Sequence, residues 1–223
     1  MHNIAKKRIY TRFLSFVIVC CVCSFSVSRV LANDYPLISD WAQDEALLAE
    51  QQGLLPQERL YGDLREEGSR AQAVRYLVHL TEVLLQKNIP NTSKGIFSDL
   101  DGVWNKTVEA AEKAYSAGIV LGYDNNCFCP ADAITREEYA TMLFRLLQYV
   151  ENDKKVQLLP EDQDNNVFVD GASISPWAED AVNTLSSIGV FRGQADGAFN
   201  PGGHVSLEQI IVVSYRCWKY CTG

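Results

Sequence analysis

The chain has 223 residues, with 20 basic and 28 acidic side chains and a net charge of −8. Its 47% apolar content is enough for a core, which excludes a collagen-like or wholly disordered chain. The acidic balance argues against nucleic acid as a partner, because phosphate binding needs clustered Lys and Arg.

Residues 1–32 read as a secretory signal peptide: Lys6, Lys7, Arg8 and Arg12, an uncharged run from Phe13 to Val27, then Val30-Leu31-Ala32. That run is shorter than the ~20 residues that span a bilayer. If it is not cleaved, it is the chain's one membrane anchor. Without residues 1–32 the chain keeps 15 basic and 28 acidic residues, hence −13, and four cysteines: Cys127, Cys129, Cys217 and Cys221. Export would allow these to oxidise. Their spacings fit zinc knuckles poorly, so free or loosely paired thiols and no cofactor are expected.

The remainder reads as three copies of one unit. Trp41, Trp104 and Trp177 each open a helical pattern closed by Gly53, Gly118 and Gly189, at separations of 12, 14 and 12. A turn follows, and a second helix opens at Ser69, Thr135 and Ser206, at 16, 17 and 17 residues from those glycines. In the middle copy Val108, Ala111, Ala114 and Tyr115 form one apolar stripe, and Tyr139, Met142, Leu143, Leu146 and Leu147 another. Phe128-Cys129-Pro130 and Phe199-Asn200-Pro201 follow the turns. The expected fold is all-α: three tandem helix–turn–helix units at 36–86, 96–149 and 167–220, with linkers at 87–95 and 150–166. Asp162 to Asn166 resembles a calcium loop, but Val167 stands where glycine is required.

Ser69-x-x-Gln72, Thr135-x-x-Glu138 and Ser206-x-x-Gln209 are capping boxes. Capping leaves Arg70 and Arg136 unexplained, since a cation at N1 meets the positive end of the helix dipole. With exposed N–H groups they would make an anion cradle; a structural ion pair is the other reading. His79 and His204 lack a sequence partner for catalysis, and no residue set fills enzymatic roles.

Phe97-Ser98-Asp99, Trp104, Ala117 to Tyr123, Phe128-x-Pro130 and Ile134-Thr135-Arg136-Glu137-Glu138 together resemble an S-layer homology repeat. A second such repeat is carried by Phe168-Val169-Asp170, Ile174 to Ala178, Gly189-Val190, Gly193, Phe199-x-Pro201 and Glu208-Gln209, and a shorter first one by Ser39 to Ala42, Gly53 to Pro56 and Ser69 to Ala71. The resemblance implies a pseudo-threefold helical domain, secreted to the cell wall or S-layer of a bacterium. It would bind a secondary cell wall polysaccharide, often through acidic, pyruvylated sugars, in grooves between repeats. The residues it implies as ligands are Asp99, Trp104, Gly122 and Arg136 in the second repeat, Trp41 and Arg70 in the first, and Asp170, Trp177 and Gly193 in the third. Leu207 replaces the third arginine. Trp offers a face for a sugar ring and Arg a fork for a carboxylate; core packing is the alternative for each Trp. An exported protein–protein assembly domain that has lost glycan binding is the second functional expectation.

Overall fold

The computed structural model describes residues 37–56, 63–161 and 168–223. The signal-peptide reading of residues 1–32 and the acidic stretch 162–166 lie outside them. Six α-helices are present among the described residues: α1 (Asp40–Gln51), α2 (Arg70–Leu85), α3 (Asn105–Ser116), α4 (Arg136–Lys154), α5 (Glu179–Ser187) and α6 (Leu207–Thr222). Among those residues, pairing of extended backbone is limited to isolated bridges. The fold is all-α, as the periodicity predicts. No described helix is long and apolar enough to cross a membrane.

The local signals fold as read. Ser69, Thr135 and Ser206 each accept a bond from the N3 backbone, and the N3 Gln or Glu side-chain oxygen accepts one from the backbone N–H of the cap. Gly53, Gly118 and Gly189 have φ of 68°, 70° and 71°, a left-handed region that Gly enters without strain. The residue after each bonds back to the first helix: Leu54 to Ala49 O, Ile119 to Ala114 O, Val190 to Leu185 O. These are Schellman closures. One end differs from expectation: α4 runs to Lys154, into the stretch read as linker. Val150 is fully buried and carries the apolar face one turn further.

The packing order is not evident from the repeats one at a time. The first helix of each unit lies chiefly on the second helix of another unit: α3 on α2, α5 on α4, and α1 on α6. Helix α2 also meets α4 and α6. The extended residues before the second helices bridge one another, Glu67 with Ser206, Ser69 with Ala133, and Thr135 with His204. Every unit thus pairs with both others. The shared core includes Tyr76, Leu77 and Leu80 of α2, Tyr139, Leu143 and Leu146 of α4, and Ile210, Val213 and Cys217 of α6. Burying these faces is the main stabilising term. The four described cysteines are free thiols.

Candidate functional site: a groove over a buried arginine

The starts of α2, α4 and α6 are sealed rather than open. The N1 and N2 amides of α2 donate to Asp132 O and Pro130 O, those of α4 to Gly203 O and Pro201 O, and those of α6 to Glu66 O and Leu64 O. With N3 taken by the cap, the expected cradle of exposed N–H groups does not exist. The neighbouring unit's turn consumes these donors.

The N1 side chains cross the same junctions. Arg70 is 3% exposed. Its Nε donates to Phe128 O at 2.9 Å, and its guanidinium reaches Glu138 Oε1 at 3.3 Å. The Tyr123 ring lies 4.3 Å from that guanidinium, and the Tyr123 hydroxyl donates to Glu138. Burial, followed by this carboxylate, pushes the Tyr123 hydroxyl pKa well up. Arg136 is 4% exposed. It donates from Nε to Phe199 O at 2.7 Å and from Nη2 to Arg192 O at 3.1 Å. The Phe191 and Phe199 rings sit 4.8 and 5.1 Å from it. Burial lowers its pKa to about 10, against the pull of the Asp170 charge. It remains a cation at neutral pH. Leu207, at the third N1 position, is buried.

Asp99 and Asp170 hold the Phe-x-Pro turns. Asp99 accepts from Phe128 N and Cys129 N at 2.8 and 2.7 Å, and Asp170 from Phe199 N and Asn200 N, both at 2.7 Å. Cys129 and Asn200 have φ of 56° and 57°, uncommon for residues with a side chain. The carboxylates offset that strain. Gly122 and Gly193 are required by close approach: a Cβ would come within 2.7 Å of the Phe97 ring and 2.8 Å of the Phe168 ring, respectively.

The tryptophans are not core residues. Trp41, Trp104 and Trp177 are 51%, 48% and 56% exposed. Two of them are fixed by a contact between units. The Glu208 carboxylate accepts from Ser39 N and Oγ, and Glu137 from Ser175 N and Oγ, in each case two residues before a Trp. At the third junction Gly102 and Ala71 occupy these positions. There the Arg75 guanidinium lies 5.1 Å from the Trp104 ring and donates to Thr107 Oγ1.

Trp41, Arg136 and Gly193 come together in one groove of about 480 Å³, with Phe191, Arg192, Gln194, Gln209, Val213 and Arg216 also in its wall. Its size suits a small ligand. Among the described residues three arginines line it and no acid does; Arg216 is paired with Glu45 at 2.6 Å. Arg70 and Asp99 instead meet at the turn around Phe128. A smaller hollow of about 220 Å³ lies between α2 and α3, where Lys113 bridges Glu82 and Glu109. Sequence reasoning missed Arg192, Gln194 and Arg216. The signal for Arg216 was present: Arg145 and Arg216 each stand ten residues after a capping hydroxyl. His79 and His204 also have partners, Gly53 O and Glu67 respectively.

Residues 96–140 and 167–211 each match the family model described as S-layer homology domain. Residues 36–86 lie outside both matches. An endoglucanase of a Bacillus species is 38% identical over 116 residues, 52% of this chain and 12% of that protein. Cell surface glycoprotein 1 of Acetivibrio thermocellus is 26% identical over 70% of this chain and 7% of its own length. A surface layer protein of Brevibacillus choshinensis is 28% identical over 54% and 10%. The chain spans about an eighth or less of these relatives. What it shares with the endoglucanase is a small part of that enzyme.

Proposed function

We propose that this chain is a secreted, non-catalytic module that anchors to the bacterial cell surface, and that it does so by holding an anionic wall polysaccharide in the groove over Arg136. The observation that carries this is the meeting of a half-exposed indole with a buried guanidinium. Trp41 offers an apolar face to a sugar ring, and the Arg136 fork, with Arg192 beside it, suits a carboxylate on that sugar. Pyruvylated sugars are the acidic units we assign to it. The repeat matches and the surface proteins among the relatives support location at the wall or S-layer. We read 36–86 as a divergent first copy of the repeat, on its capping box and Schellman closure. The ring of bridges between units supports a pseudo-threefold arrangement.

The test is sedimentation of the protein with purified sacculi before and after chemical removal of the secondary polymer. Pelleting with intact sacculi alone is the expected result. Failure to pellet with either would favour the assembly-domain reading, to which Leu207 in the third arginine position lends some weight.

A further inference from the structure

Arg70 and Arg136 occupy equivalent positions, but their surroundings differ in charge. The Glu138 carboxylate faces Arg70 at 3.3 Å. At the matching place over Arg136 stands Gln209, whose Oε1 is 3.5 Å from Nη1, too long for a strong bond. Among the described residues no carboxylate lies within ion-pair distance of Arg136. Asp170 acts on it from further off, with both its oxygens engaged by backbone amides. A buried cation whose bonds go only to neutral carbonyls keeps part of its desolvation cost uncompensated. The ring that closes over Arg70, Tyr123, is replaced at the matching position by the exposed Gln194.

We infer that Gln209 makes the Arg136 groove the anion-selective one of the two arginine sites, because the Arg70 site already holds its own carboxylate in Glu138. This rests on the anchoring reading above and adds the residue that sets the preference. The counter-charge for Arg136 arrives with the ligand; that for Arg70 is built in.

The two residues are exchangeable without loss of the cap. Gln closes the box in α2 and α6 and Glu closes it in α4. Gln209→Glu and Glu138→Gln therefore change charge while keeping the local fold. The probe is the methyl glycoside of a pyruvylated hexosamine, titrated at pH 7 against the full chain, with the sugar lacking pyruvate as control. Gln209→Glu should weaken binding about tenfold or more while thermal unfolding stays level or rises, because the new carboxylate supplies the missing counter-charge. Glu138→Gln together with Tyr123→Gln, which also removes the ring over Arg70, should leave the Arg136 site intact and raise the number of sites from one towards two. Binding that Gln209→Glu leaves unchanged overturns the inference alone. If the unaltered protein binds neither the probe nor intact sacculi, the anchoring reading falls with it.

Discussion

Arg136 ties two units together, and the recognition role we propose falls on the same side chain. Its two bonds to Phe199 O and Arg192 O tie α4 to the turn of the following unit. Arg136→Ala removes both and leaves two carbonyls short of a donor, so urea unfolding should show a loss of about 2–4 kcal/mol. Wall affinity of the folded fraction should also fall, by about 2–5 kcal/mol. On the sequence alone one would have expected a cation at the helix dipole to cost stability; its burial against carbonyls reverses that. Asp170 gives a pH-dependent counterpart. Burial pushes its pKa up, but the Phe199 and Asn200 amides and the Arg136 charge outweigh this and hold it below the ordinary value. Its contribution is present above the unfolded pKa of about 3.9 and is lost as pH falls through the lower folded value. The stability gap between the wild type and Asp170→Asn should be full at pH 7 and shrink below about pH 4. A gap that stays constant across this range in urea titrations contradicts the assignment.

At the scale of the element, caps govern where helices begin. Thr135→Ala removes one half of the α4 capping box and should cost about 1 kcal/mol; a smaller effect on binding by the folded protein is expected. These caps, the Schellman glycines and the apolar stripes were legible because they depend on residues within one turn of each other. The Ser39–Glu208 and Ser175–Glu137 contacts were not, since their partners are 169 and 38 residues apart. Glu137 and Glu208 stand one residue before the capping-box partners Glu138 and Gln209 in sequence, and only the fold shows that their carboxylates accept from another unit. Glu208→Ala should therefore loosen α1 from α6. The expected sign is faster proteolysis within α1 at nearly unchanged helix content by circular dichroism.

Across the whole molecule, the closing contact of α1 on α6 joins the first unit to the last. The groove depends on that closure: Trp41 comes from the first unit, Arg136 from the second, and Gly193 and Arg216 from the third. Spacing showed three alike units but not which helix lies against which, so the groove's membership could not be read from it. Unfolding should be one cooperative step, with tryptophan fluorescence and helical circular dichroism coinciding. The central claim concerns Trp41 and Arg136 acting on one ligand. The protein has four tryptophans, and their indole N–H resonances report each site separately in isotope-labelled protein titrated with purified wall polymer fragments. The account predicts that the Trp41 signal shifts at saturation and that Arg136→Lys weakens its response. Polymer binding that leaves the Trp41 signal unmoved would contradict it.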